Sequence, residues 1–289
     1  MKIVRFLGGL GNQMFQYAFY KALEKQFDTV KADIREFEAY KLHNGFELEN
    51  VFDIRLKHAS ALEVNLLDHR NRQWKYRKLR RLLFLKGEYY EESKLFSYNA
   101  SLFDDPTSKI YWGYWQHHLY VERVADQLRK DFTFPDLKPS KNLELLNELK
   151  QSPQSVAIHV RRGDYLKDPY LGGLVDRQYF EKAILTIKER LENTMFYIFS
   201  DDMPWCMENL PLNDNEAKFI DWNTGMESYR DMQLMSNCKH AIISNSSFSW
   251  WAAWLNTNPD RLIVVPKVWY RLPEKSDFRQ MHPSSWVLL

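Results

Sequence analysis

Only two cysteines occur among 289 residues, Cys206 and Cys238. Two are too few for a disulfide framework or a thiolate metal cluster. No stretch reaches the roughly 20 apolar residues needed to span a bilayer. The opening MKIVRFLGGLGN lacks the apolar run of a secretory signal. Charge of neither sign dominates: 40 Lys plus Arg against 38 Asp plus Glu leave a net charge of +2. A general nucleic-acid binder usually carries a strong basic excess, so that class is set aside. Internal repeats, heptads and low-complexity segments are missing as well. The expected setting is a soluble protein in a reducing compartment, the cytoplasm.

Hydrophobic residues make up 45% of the chain and charged residues 27%, as in ordinary globular proteins. At about 100–200 residues per domain, two domains are the first expectation. Aromatics are plentiful, at 15% with 10 Trp, and serve both cores and the stacking of sugar rings or bases. The sequence predicts a strand over 2–7, a helix from Gln13 to Gln26 and a strand over 29–34. An aromatic strand over 109–116 and a helix over 117–132 follow. Pro135 and Pro139 bracket a turn-rich stretch, taken as the linker between a domain of residues 1–138 and one of 139–289. Beyond it, strands over 155–160, 195–200, 217–221, 240–244 and 261–265 alternate with helices over 178–191, 226–237 and 248–255. That alternation predicts an α/β fold with a parallel sheet and crossover helices.

One charge run stands out. Arg70, Arg72, Lys75, Arg77, Lys78, Arg80 and Arg81 come with no acid among them. The plain reading is a solvated helix face. The sharper reading is a patch for anionic lipid or an acidic glycan, hence peripheral contact with the inner face of a membrane.

Ligands of open parallel sheets bind beyond the carboxyl ends of the strands. There the sequence sets Arg161-Arg162-Gly163-Asp164, Asp201-Asp202, Trp222-Asn223-Thr224-Gly225 and Asn245-Ser246-Ser247. Arginines, hydroxyls and a helix N-terminus suit a diphosphate, because the guanidinium fork matches phosphate oxygens and the helix end carries free N–H groups. The serines also suit plain helix capping, which uses the same geometry. The GGLGN loop at 8–12 departs from a dinucleotide fingerprint, since Met14 stands where the third glycine belongs. It departs from a P-loop too, for want of Lys-Ser/Thr. The chain has no Gly-x-Ser-x-Gly elbow and no Asp-x-Asp triplet for a metal–diphosphate. Asp201-Asp202 is a poor substitute, since adjacent carboxylates on an extended segment diverge, and His117-His118 lacks matching ligands.

Three segments, GGLGNQMFQYAF (8–19), HVRRGDY (159–165) and SNSSFSWWAAWL (244–255), resemble the bacterial α-1,2-fucosyltransferases of the wider α-1,2/α-1,6/protein O-fucosyltransferase superfamily. The resemblance implies a GT-B architecture, two Rossmann-like domains facing across a cleft. It implies an inverting transfer of L-fucose from GDP-β-L-fucose to the 2-hydroxyl of a terminal galactose on a glycan, with no cofactor and no metal. The second domain would hold GDP-fucose, with Arg161 on the phosphates, His159 beside the nucleotide, Asn245, Ser246 and Ser247 near the phosphates, and Asp231 on guanine. Gly9, Gly11, Asn12 and Gln13 would face the acceptor side. Asp164 is the nearest motif carboxylate for deprotonating the acceptor, with holding Arg161 in place as its other role. An α-1,6-type or protein O-fucosyltransferase and an inactive glycan-binding homologue remain the alternatives. The resemblance leaves the oligomeric state open.

Overall fold

The computed structural model describes residues 1–38, 44–138, 140–271, 278 and 280–289. The chain divides into two compact units, Met1–Thr133 with Glu274–Met281, and Phe134–Pro273 with His282–Leu289. The division falls at Thr133/Phe134, a few residues ahead of the expected linker. The described residues Phe278, Gln280 and Met281 group with the first unit, which no local composition signal announced. Pro139 lies outside the described residues.

The first unit runs β1 (Lys2–Arg5), α1 (Leu10–Glu24), β2 (Val30–Asp33), α2 (Leu48–Phe52), α3 (Ala61–Leu67), α4 (Trp74–Leu82), β3 (Gly87–Glu91), β4 (Ser108–Trp112), α5 (His118–Glu122) and α6 (Ala125–Asp131). Its four strands are parallel in the order β2-β1-β4-β3. Ile3 and Ile110 are fully buried, each inside its strand. Helix α1 is covered nearly all round: Met14, Phe15, Ala18, Phe19, Ala22 and Leu23 have no exposed surface, as expected of a helix packed within a unit.

The region read as one strand and one long helix is broken up. Strand β4 stops at Trp112, Trp115 adopts a left-handed φ of 56°, and two short helices replace the single one. The break falls at Val124, whose φ of −136° and ψ of 19° are not helical. Hydrophobic spacing carried straight across this bend, because both short helices bury the same face.

The second unit runs α7 (Lys141–Gln151), β5 (Gln154–Val160), α8 (Arg177–Lys188), β6 (Thr194–Ser200), α9 (Met203–Asn209), β7 (Ala217–Ile220), α10 (Tyr229–Ser236), β8 (His240–Ile242), α11 (Ser247–Leu255), β9 (Ile263–Val265) and β10 (Val287–Leu288). Its six strands are parallel in the order β10-β9-β8-β5-β6-β7. Central strand β5 buries six of its seven residues, the near-continuous apolar run of a strand covered on both faces. Phe180, Ala183, Ile184 and Ile187 of α8 pack with Val156, Ile158, Phe196 and Ile198. The predicted strands and helices of this half all occur, with shifts of a few residues at their ends. Helices α7 and α9 were not expected. Leu145 and Leu149, one helical turn apart and buried, were the signal for α7. For α9 it was Asp202, whose carboxylate caps the helix by accepting from the Trp205 N–H, with Pro204 in the first turn.

A candidate donor site at the edge of the second sheet

All six strands of this sheet run the same way, so the segments following β5, β6, β7 and β8 emerge at one edge. Contacts join Arg161 to Asp201, His159 to Ser244 and Tyr165 to Asn245, while Trp222-Asn223 contact Asn142 and Asp231 instead.

Arg161 is held by two carboxylates. Its Nε lies 2.9 Å from Asp164 Oδ1 and its Nη1 lies 3.2 Å from Asp201 Oδ2. Asp201 also accepts from the Arg162 backbone N–H at 2.9 Å. Gly163 makes room for this, since a Cβ there would sit 2.9 Å from Asp201 Oδ2. Arg162 turns elsewhere, pairing with Asp202 Oδ2 at 3.1 Å and covering the Trp205 ring at 4.2 Å. The adjacent carboxylates thus diverge, one to each arginine. Asp164 is half exposed at 52% of its side chain and Asp201 less so at 26%. Asp164 therefore sits as a brace on Arg161 with one edge toward solvent.

His159 is buried, with Nδ1 3.0 Å from Ser244 Oγ and its ring beside Phe248. Burial, and then the nearby Arg161 charge, push its pKa down to about 3, so the imidazole is neutral. Ser246 is the N-cap of α11 and is buried; its N–H donates to Ser244 O at 2.7 Å. The N-terminal turn of α11 opens at Ser247 and Phe248, with the positive end of the helix dipole. The Asn245 amide donates 3.3 Å bonds to the carbonyls of Leu171 and Trp269, so its side chain ties two loops together. Tyr165, for which sequence reasoning had no role, donates its hydroxyl to Asn245 O at 3.3 Å, with its ring 5.7 Å from the Arg161 guanidinium carbon. It was visible only as the last letter of HVRRGDY.

Asp231 stands in the first turn of α10. Its Oδ1 accepts from Asn223 Nδ2 at 2.7 Å. Asn223 is locked in turn by Asn142 of α7, which accepts from Trp222 Nε1 at 2.6 Å and donates to Asn223 Oδ1 at 2.8 Å. Burial raises the Asp231 pKa to about 7, and the Asn223 bond offsets only part of that rise. A carboxylate made costly to ionise and held by a fixed amide chain has the form of a recognition group. The Asn142–Trp222–Asn223 support went unseen in the sequence, because its members lie on separate elements.

In the first unit, the glycine loop shapes itself. Gly8 has a left-handed φ of +78°, and a Cβ there would lie 2.5 Å from Asn12 Nδ2. Gly9 is the N-cap of α1, Gly11 is buried within the helix, and Asn12 Oδ1 accepts from Gln116 Nε2 at 2.7 Å. Gln13 is wholly buried. Its Nε2 donates to Gly8 O and Gly45 O, and its Oε1 accepts from the Glu47 N–H. Gln13 therefore fixes the loop from beneath and presents no amide to a ligand. His117 accepts from the Leu119 N–H as a helix cap. Among the described residues no three His, Cys, Asp or Glu side chains gather in a way that could hold a metal ion. No described helix is long and apolar enough to cross a membrane.

With that geometry in view, three comparisons bear on the chain. The family model described as glycosyl transferase family 11 matches residues 1–289. The chain is 32% identical to the α-1,2-colitosyltransferase of Escherichia coli, covering 99% of this chain and 97% of that protein. It is 31% identical to rabbit (Oryctolagus cuniculus) galactoside α-(1,2)-fucosyltransferase 1, over 86% of this chain and 62% of that protein. Among solved structures, the α-1,6-fucosyltransferase NodZ co-crystallized with GDP aligns with a TM-score of 0.52 at 15% identity, covering 87% of this chain and 91% of that one. That likeness shows a shared GT-B α/β fold. Two parallel-sheet units and a family match over the whole length agree: the chain belongs to glycosyl transferase family 11.

Proposed function

We propose that this glycosyltransferase moves L-fucose from GDP-β-L-fucose to the 2-hydroxyl of a terminal galactose, inverting the fucose anomeric carbon, in the cytoplasm during glycan synthesis. The observation that carries the reading is Arg161, braced by Asp164 and Asp201 and joined through Tyr165 to Asn245 just ahead of α11. In such a transfer the C–O bond to the β-phosphate breaks as the galactose oxygen bonds to the anomeric carbon. Negative charge then grows on the β-phosphate. A pre-positioned guanidinium and a helix N-terminus are the groups that stabilise such charge, with Ser246 and Ser247 beside them and no metal required. The Asp231 carboxylate accepts two donors from guanine, N1–H and N2–H₂, a pair adenine lacks. Neutral His159 and Asn245 shape the floor. The first unit, through Gly9, Gly11 and Asn12, serves the acceptor, and Gln13 serves it only by holding that loop. Asp164 works chiefly by holding Arg161, and the acceptor proton leaves to water.

The identity to an α-1,2-colitosyltransferase favours a second reading of the donor. Colitose is L-fucose without its 3-hydroxyl, so the two donors differ by one hydrogen-bonding group. The deciding experiment offers GDP-fucose and GDP-colitose separately with β-galactoside acceptors and reads the product linkage by NMR. An α-1,2-fucosylated galactoside supports the main reading. Transfer from the colitose donor alone replaces it with the second. An α-1,3 or α-1,6 linkage, or GDP binding without transfer to any acceptor, refutes both.

A further inference from the structure

Between Asp68 and Glu88 the chain carries eight Lys or Arg and no acid. The structure divides these cations. Arg70 pairs with Asp68 and lies on the Tyr89 ring, and Arg80 donates to the carbonyls of Asn65, Asp68 and Asn71. Arg80 fastens α4 to its unit, and Arg70 the turn ahead of it. Arg72, Lys75, Arg77, Lys78 and Arg81 are exposed and pair with no carboxylate among the described residues. His69, Arg72, Arg77, Arg80 and Arg81 line a polar recess of about 470 Å³.

The sequence did not announce the apolar half of this surface. Helix α4 buries none of its residues. Trp74 is 74% exposed, Leu82 70% and Phe84 92%, with Leu83 and Leu85 open as well. Trp74, Lys78, Arg81 and Leu82 recur at helical spacing along α4, cations between apolar residues, and Leu83, Phe84 and Leu85 follow at its end. The helix ends in a Schellman turn: the Leu85 N–H bonds to Arg80 O at 3.0 Å and the Phe84 N–H to Arg81 O. That turn needs a residue at positive φ, normally glycine. Phe84 takes the position at φ 52°. A strained backbone therefore holds a phenyl ring almost wholly in water, beside three open leucines. In water this arrangement is unfavourable on both counts.

We infer that Trp74–Leu85 docks on an anionic bilayer surface, with the Trp74, Leu82, Phe84 and Leu85 side chains entering the acyl boundary and the unpaired cations on the lipid phosphates. An element rich in Lys and Arg and in bulky apolar residues lies in the membrane interface, its long cationic side chains reaching back to the lipid headgroups. Each Lys or Arg near an anionic leaflet strengthens binding by about fivefold.

The test is flotation of the full chain with phosphatidylglycerol-containing vesicles against pure phosphatidylcholine vesicles. Phe84→Gly is the informative variant, since glycine relieves the turn and should leave thermal stability equal or higher. It should nonetheless weaken vesicle binding by at least tenfold and leave transfer to a soluble acceptor unchanged. The triple change Arg72→Gln, Lys75→Gln, Lys78→Gln should abolish the preference for anionic vesicles. The inference is overturned if the wild-type chain ignores anionic vesicles, or if Phe84→Gly binds them as well as wild type does. It is also overturned if heparin is bound as tightly as anionic vesicles and without regard to residue 84. A dimer in light scattering that Phe84→Gly dissolves would assign the surface to a second copy of the chain instead.

Discussion

The Asp231 carboxyl should make GDP binding depend on pH in a direction that its surroundings fix. In the unliganded protein burial raises its pKa to about 7. Guanine offers only donors on its N1/N2 edge, so it pairs with the ionised carboxylate. At pH 6 about one molecule in eleven is ionised, and at pH 8 about ten in eleven. GDP affinity should therefore rise about tenfold from pH 6 to pH 8. Asp231→Asn removes both the charge and the titration. Its affinity at pH 8 should fall about ten- to a hundredfold, the loss expected for hydrogen bonds to a charged group at roughly 1.5–3 kcal/mol, and its profile should flatten. His159, with a pKa of about 3, stays neutral throughout and adds nothing to the slope. The nucleotide phosphate does titrate near pH 6, and ADP, with the same diphosphate, measures that contribution for subtraction. Stability supplies an opposite readout. Folding raises the carboxyl pKa from its ordinary 3.8, so the stability it supports is full below about pH 4 and lost up to about pH 7. Asp231→Asn should thus melt no lower than wild type, and higher above pH 7. Titration calorimetry at three pH values with parallel melts is the assay. A wild-type affinity that stays flat after the ADP correction, or an Asn variant with unchanged affinity, refutes the guanine role.

Arg161→Ala should lower kcat by about 10²–10³, the effect of removing one charge-stabilising donor, while the fold survives; near-normal turnover would refute the phosphate assignment. Asp164→Asn should weaken donor binding and kcat together, because it loosens Arg161. A steep fall in kcat at unchanged GDP-fucose affinity would make Asp164 the base instead. Turnover should survive EDTA; its loss on chelation and recovery with Mn²⁺ or Mg²⁺ would contradict a site run by Arg161 and a helix end.

The second unit was more legible than the first for a physical reason. Its strands are buried on both faces, and polar motifs follow them directly, so apolar runs and their ends marked β5, β6 and β8 together with Arg161, Asp201 and Ser246. Contacts across the sequence were not legible. Asp201 under Arg161 and Asn142 behind Asn223 join residues whose nearness only the sheet order creates. In the first unit, aromatic residues run through strand, bend and helix alike, and periodicity could not see the turn at Trp115. The basic stretch was plain as a solvated helix face, but nothing in its spacing marked the neighbouring leucines as exposed, as α4 with no buried residue leaves them.

The two sheet edges differ in a way that favours one of them for an anion. At the first edge the backbone donors are already met by the chain's own carboxyl groups. Glu47 accepts the Leu10 N–H at the start of α1, at 3.1 Å. Glu92, just past β3, accepts the N–H groups of Tyr114 and Trp115 at 2.8 and 3.2 Å, and burial raises its pKa to about 7. A phosphate arriving there would meet oxygen where it needs donors. At the second edge the carboxylates of Asp164 and Asp201 pair with the Arg161 guanidinium, whereas at the first edge Glu47 and Glu92 take backbone N–H groups. The proposed function gives the nucleotide to the second unit, and Glu92→Gln should leave GDP affinity as it was, which titration calorimetry checks; a clear loss of GDP affinity would count against that assignment.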